Sequence, residues 1–195
     1  MITPQIVLAS SSPYRRELLD KLGISYQCHS PDIDESAHTN ETPKALVSRL
    51  AKAKAKAVAK HYPNALIIGS DQIAVLDQQI ITKPLDHAQA TTQLQKASGR
   101  TVTFLTSLCL YNSADQSSQD DIVTFNVHFL ELSARQIERY LQKEQPYDCA
   151  GSFKSEGLGI TLFKQLEGTD PNALIGLPLI RLTAMLRKQG LDPLS

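Results

Sequence analysis

The sequence predicts an α/β protein whose mixed β-sheet, curled around a cleft, carries flanking helices. Three observations predict it. Short apolar runs alternate with helix-period segments along all 195 residues. A hairpin and two long alternating strands sit among the helices, so the sheet is not purely parallel. The composition, 42% hydrophobic and 21% charged with 9 Gly and 10 Pro, is that of a chain with a core rather than a disordered, collagen-like or coiled-coil one. Roughly 150 residues per domain implies one domain, or one with a sizeable second lobe. Such a chain buries about 70% of its unfolded surface and needs no staples.

In chain order, Ile6 to Ala9 is a short apolar run and reads as a buried strand. Ser10-Ser11-Ser12-Pro13 then supplies a Ser N-cap and a proline at the first helical position, for a helix ending near Gly23. Ser25 to Cys28 is extended, and Pro31 to Asn40 is an acidic loop. Thr42-Pro43 opens a second helix to about His61. Ala65 to Leu76 is a strand that turns at Asp77-Gln78-Gln79 and returns through Ile80 to Lys83. A helix from Asp86 to Ser98 stops at Gly99. Thr101 to Tyr111 and Ile122 to Leu132 alternate as two long strands, joined by the polar turn Asn112 to Asp121. Ser133 and Gln136 form a capping box for a helix to Lys143. A Gly-rich stretch follows, then a last helix from about Pro178 to Gln189, closed by Gly190.

Charge and composition exclude several functions. Twenty Lys plus Arg against 20 Asp plus Glu give no net charge, so the long-range attraction behind nucleic-acid binding is missing. Apolar runs such as Ala65 to Ile68 stop far short of the roughly 18 residues of a membrane span. Met-Ile-Thr-Pro lacks the early cation of a signal peptide, and the expected compartment is the cytoplasm. Cys28, Cys109 and Cys149 form no C-x-x-C and read as buried thiols; the five His show no metal-ligand spacing.

Five groups of residues have the chemistry of a site. Ser10 to Arg16 places hydroxyls and two arginines at a helix N-terminus, where free N–H groups and the dipole suit an anion; an ordinary cap looks the same. Asp32-Ile33-Asp34-Glu35 clusters carboxylates as a Mg²⁺–phosphate site does, and as a solvated loop does. In the second helix Leu46, Leu50, Ala53 and Ala57 make an apolar stripe, with Arg49, Lys52, Lys56 and Lys60 to one side. Lys54 falls elsewhere, flanked by Val47, Leu50 and Val58, so its ammonium must snorkel or meet an anion. Asp71 interrupts the apolar strand Ile67-Ile68-Gly69-Ser70-Asp71-Gln72, and buried carboxylates are rare unless paired or metal-bound. Lys83 ends the return strand near the same end of the hairpin, so a structural salt bridge and a metal–phosphate site are both open. Gly157 and Gly159 close the stretch Cys149 to Gly159 and permit close approach of a ligand to the backbone, with Glu156 beside them.

Together these residues resemble a known family. Leu-Ala-Ser-Ser-Ser-Pro-Tyr-Arg-Arg, Asp-Ile-Asp-Glu, Ala-Lys-Ala-Lys-Ala, Gly-Ser-Asp-Gln, Thr-Lys-Pro and Ala-Gly-Ser-Phe-Lys-Ser-Glu-Gly-Leu-Gly-Ile…Gly-Leu-Pro follow the order and spacing of the Maf nucleoside triphosphate pyrophosphatases, from Ile6 to about Gly190. The resemblance implies a single domain over 1–195 with two lobes around a central cleft, similar to inosine triphosphate pyrophosphatases, and often a homodimer. It implies hydrolysis between the α- and β-phosphates with Mg²⁺ or Mn²⁺. Ser10, Ser12, Arg15 and Arg16 would cradle phosphates, Glu35 would help hold the metal, Lys54 and Lys83 would neutralise charge, and Asp71 would accept the proton. Whether Glu35 or Asp71 is the main metal ligand, and whether Asp34 takes part, stays open.

Three positions mark the branch. Members acting on dTTP and UTP tend to carry Arg, Thr and Gln where this chain has Tyr14, Gln72 and Glu156, and the present trio resembles the branch acting on 7-methyl-GTP, which can have Trp at the Tyr14 position. N7-methylated guanine is a cation that an aromatic face can stack on, while a carboxylate accepts from its N1–H and N2–H₂. The expected partner is a nucleotide, with no stable nucleic-acid complex and no membrane. The alternatives are a dTTP/UTP pyrophosphatase of the same family and a nucleotide- or nucleic-acid-binding regulator of cell division using the basic helix face.

Overall fold

The computed structural model describes residues 4–195. The first residues of the sequence, on which the expectation of no leader begins, lie outside them. The fold is mixed α/β, as expected. Strands β1 (Gln5–Leu8), β2 (Gln27–Cys28), β3 (Ala65–Leu76), β4 (Gln79–Ile81), β5 (Thr101–Asn112), β6 (Ser118–Phe129) and β7 (Phe163–Gly168) share one sheet. The order is β2-β1-β3-β5-β6-β7, with β4 paired to β3 off that path. β1 runs parallel to β2 and β3, whereas β3/β4 and β6/β7 are antiparallel. Helices α1 (Pro13–Asp20), α2 (Pro43–Ala59), α3 (His87–Ala97), α4 (Ala134–Glu144), α5 (Pro171–Ile175) and α6 (Leu179–Lys188) complete it. Among the described residues no helix is long and apolar enough to cross a membrane.

The chain divides into two compact units. One comprises the chain up to Gln72, Thr106–Val123 and Asp170–Ser195. Its central strands β1 and the first half of β3 are buried on both faces because helices cover both sides of the sheet there. Ile6, Leu8, Leu66 and Ile68 pack with Leu18 and Leu19 of α1 and Leu182 and Leu186 of α6. The alternate residues Val7, Ala9 and Ile67 pack with Ala51, Ala55 and Val58 of α2. A Cβ at Gly69 would overlap the Ala51 carbonyl and press on Ala55, so the missing side chain sets how closely α2 lies on β3.

The second unit comprises Ile73–Leu105 and Thr124–Thr169. Asp77 and Gln78, both at positive φ, make the two-residue turn between β3 and β4. Phe104, Phe129, Phe153 and Phe163 form an edge-to-face cluster in its core. The capping box of Ser133 and Gln136 starts α4, and α3 lies alongside it.

Four differences from the sequence reading have physical causes. β7 was not foreseen: its residues are mostly exposed, so Phe-Lys-Gln-Leu-Glu-Gly lacks the two-residue alternation of a half-buried strand. α5 was not foreseen either, being only five residues long. β6 begins at Ser118 rather than Ile122, and its early acids are held by cations: Lys52 pairs with Asp120 and Arg181 with Asp121. Of the three cysteines expected to be buried only Cys109 is; Cys149 is half-buried and Cys28 is exposed. Its neighbour β1 is interior, but β2 is the two-residue edge of the sheet.

Candidate functional site

The first unit brings a cation and two carboxylates together. The buried face of α2 is Leu46, Val47, Leu50, Ala51, Lys54, Ala55 and Val58, so the stripe is turned from the predicted one and Lys54 lies within it. Its Nζ is 2.6 Å from Asp71 Oδ1 and 3.1 Å from Glu35 Oε1. The Lys54 side chain is 6% exposed and that of Asp71 9%, whereas Glu35 is 56% exposed. Lys54 therefore meets an anion rather than snorkelling. Burial raises the proton affinity of Asp71, opposed by the charges of Lys54 and Arg15; Glu35 adds to the rise.

Helix α1 delivers the arginines. Ser12 caps it, accepting from the Arg15 backbone N–H at 3.4 Å, and Pro13 follows at the first helical position. Buried Ser10 accepts from the Ser12 N–H at 3.1 Å. Arg15 is half-buried and donates from Nε to the Gly176 carbonyl at 2.8 Å. Burial lowers the proton affinity of its guanidinium, and Asp71 and Glu35 oppose that shift. Arg16 is exposed and Tyr14 half-buried.

Gln72 follows Asp71 on β3, and its side-chain nitrogen donates to Thr106 Oγ1, Ala173 O and Leu174 O at 2.9, 2.7 and 3.0 Å. Asp34 accepts from the Ser36 N–H at 2.9 Å, and the Ser36 hydroxyl together with that N–H holds its carboxyl below the usual range. The other two predicted residues belong to the second unit. Lys83 is exposed just after β4, where Gln93 Nε2 donates to Thr82 O at 3.0 Å. Glu156 is exposed and accepts from Ser155 Oγ at 3.1 Å. Gln93 Oε1 also accepts from Ser152 Oγ at 2.6 Å, tying the segments that carry Lys83 and Glu156 within that unit.

Several supporting residues escaped the sequence reading. Arg49, read as part of a solvated basic face, donates to both Glu41 carboxylate oxygens at 2.7 and 2.8 Å and to Ser36 O at 2.8 Å. It thereby straps the loop bearing Glu35 to α2, and the Glu41 carboxyl is pulled down to about 2 by the Arg49 fork and the His38 N–H. Ser70 Oγ lies 2.8 Å from Ser107 O and 2.9 Å from Gly176 O. With Arg49 on Glu41 and Lys52 on Asp120, half of the predicted basic face is neutralised locally.

For a metal, the donor set is two carboxylates, Glu35 and Asp71, both drawn to one ammonium. Among the described residues there is no cluster of three or more His, Cys, Asp or Glu with ligand geometry. Two hard oxygen donors fit an ion that takes its remaining ligands from phosphates and water, as Mg²⁺ does.

Comparison with known proteins identifies the family and the fold. A family model described as Maf-like protein matches residues 5–189. The Ham1 protein of Staphylococcus aureus shares the fold, with a TM-score of 0.53 at 13% identity over 95% of this chain and 99% of that one. Protein VC0702 from Vibrio cholerae superposes with a TM-score of 0.41 at 12% identity, covering 93% of this chain and 96% of the other.

Proposed function

The chain belongs to the Maf-like protein family, and on that premise we propose that it is a 7-methyl-GTP pyrophosphatase of the cytoplasm. Family membership supports a nucleoside triphosphate pyrophosphatase, a hydrolase of acid anhydrides. The finer reading adds the substrate: 7-methyl-GTP and water give 7-methyl-GMP, pyrophosphate and a proton, keeping a modified nucleotide out of nucleic acids. The observation that carries the hydrolase reading is the buried Lys54 ammonium between Asp71 and Glu35, with Arg15 in the same field; the substrate rests on Tyr14, Gln72 and Glu156 standing at the three branch positions.

A triphosphate tail repels an incoming water oxygen, and the site's own cations reduce that repulsion. Arg15, its Nε fixed by Gly176, turns its remaining guanidinium N–H groups to phosphate oxygens, while Ser10, Ser12 and Arg16 line the same helix start. Lys54 neutralises charge that grows on the leaving pyrophosphate, a role the family resemblance also implies for Lys83. Asp71, its proton affinity raised by burial, takes the proton from the attacking water as the α–β anhydride bond breaks. Mg²⁺ or Mn²⁺ would be held by Glu35 and Asp71, and when bound it supplies positive charge to the phosphate oxygens. The family resemblance implies that Tyr14 would stack on the cationic methylated base and that Glu156 would accept from its N–H edge. A neutral pyrimidine leaves Glu156 without a matched donor, at a cost of roughly 1–3 kcal/mol. The protein acts on this substrate as a homodimer.

The test is pyrophosphate release with Mg²⁺ or Mn²⁺ from 7-methyl-GTP, GTP, UTP and dTTP. The proposal expects 7-methyl-GTP to be the fastest by a wide margin; equal rates on all four would remove the specificity and leave the hydrolase. A preference for UTP or dTTP would select the pyrimidine branch instead.

A further inference from the structure

We propose that Gln72 is a positioning residue: it fixes α5, and through the Gly176 carbonyl it aims the Arg15 guanidinium. The proposal rests on the pyrophosphatase reading only in naming the anion that Arg15 meets.

α5 spans five residues, too few to hold their own helical geometry, and its last carbonyls have no partner inside the helix. Side chains from elsewhere in the first unit take them up. Ala173 O accepts from Gln72 Nε2 at 2.7 Å and from Thr106 Oγ1 at 2.8 Å, and Leu174 O accepts from Gln72 Nε2 at 3.0 Å. Two of the three acceptors around that nitrogen are carbonyls, which fixes the amide's orientation. Its two hydrogens are shared among three acceptors at 2.7 to 3.0 Å, so it has no donor left for a ligand.

The next residue past α5 is the link to the anion site. Gly176 closes the helix at φ +128°, a conformation a side chain would strain. Its carbonyl receives Arg15 Nε at 2.8 Å and lies 2.9 Å from Ser70 Oγ. A bond at Nε fixes the guanidinium plane and leaves the two Nη groups as a fork for phosphate oxygens. Since small displacements of such a group are costly in rate, whatever fixes α5 fixes the fork. A threonine at position 72 has no amide to span the Ala173 and Leu174 carbonyls, so exchange at this position acts through α5.

The experiment compares wild type, Gln72→Met and Thr106→Val, each alone and in an Arg15→Gln background. Three quantities are read: Mg²⁺–pyrophosphate binding by calorimetry, amide hydrogen exchange over residues 173–177, and kcat/KM for 7-methyl-GTP and UTP. Both single variants are expected to weaken pyrophosphate binding about tenfold and to speed exchange over 173–177, with the ratio between the two nucleotides unchanged. In the Arg15→Gln background neither should cause further loss of binding. Thr106→Val carries the same test should Gln72→Met fail to fold. A changed nucleotide ratio with pyrophosphate binding intact would overturn the proposal, as would losses that add to that of Arg15→Gln. Wild-type protein inert on every triphosphate would sink the pyrophosphatase reading, while binding and exchange would still decide this one.

Discussion

Lys54 Nζ sits 2.6 Å from Asp71 Oδ1 although the two residues come from different elements, α2 and β3, and both side chains are buried. Gly69 makes this meeting possible, because its missing Cβ lets α2 settle on β3 two residues before Asp71. Buried charge pairs of this kind add little to stability, and separating the partners is expensive. That is the energetics of a site retained for chemistry.

Removing the cation exposes that balance. Lys54→Met leaves Asp71 buried without its closest counter-charge and should cost about 3–5 kcal/mol at neutral pH, measured by urea denaturation in metal-free buffer.

The pH dependence of wild-type stability follows from Asp71. Its proton affinity is higher folded than unfolded, so between the ordinary carboxyl value and the raised one the folded state binds more protons. The Asp71 contribution is therefore fully present below the ordinary value and is lost as pH rises through the raised one. Asp71→Asn, compared with wild type in metal-free buffer over that window, should remove this component of the slope.

Glu35 is exposed and contributes charge at the mouth of the cluster. Glu35→Gln should raise the Mg²⁺ concentration for half-maximal activity by about tenfold or more, read from a metal titration, with the fold intact by circular dichroism.

Gly69→Ala places a methyl group against the Ala51 carbonyl and must push α2 away from β3. The overpacking should cost about 1–3 kcal/mol in denaturant unfolding and lower turnover by separating Lys54 from Asp71.

Glu156→Gln removes the carboxylate that answers a cationic purine. The ratio of kcat/KM for 7-methyl-GTP over UTP should fall by about tenfold or more, roughly 1–3 kcal/mol of discrimination, in steady-state assays. An unchanged ratio would detach Glu156 from base recognition.

What the sequence made legible was local. Ser12-Pro13, Thr42-Pro43, Asp86 and the Ser133–Gln136 box cap helices through neighbours three residues away, and each helix begins where those letters stand. Lys54 and Asp71 were also legible as charges inside apolar segments that needed partners, although nothing local identified the pairing across 17 residues. The Arg49–Glu41 strap lacks the three- or four-residue spacing that marks helical pairs, so it read as solvated charge. The Arg15–Gly176 bond spans 161 residues, and α5 owes its place to side chains of β3 and β5, so neither could be read from a window of sequence.

Pyrophosphate release from 7-methyl-GTP by wild type and Asp71→Asn, side by side at saturating Mg²⁺, tests the central claim most directly. Rapid release by wild type and a loss of about 10²-fold or more in the variant is the predicted result. Turnover that survives the loss of the Asp71 carboxylate undiminished would contradict it.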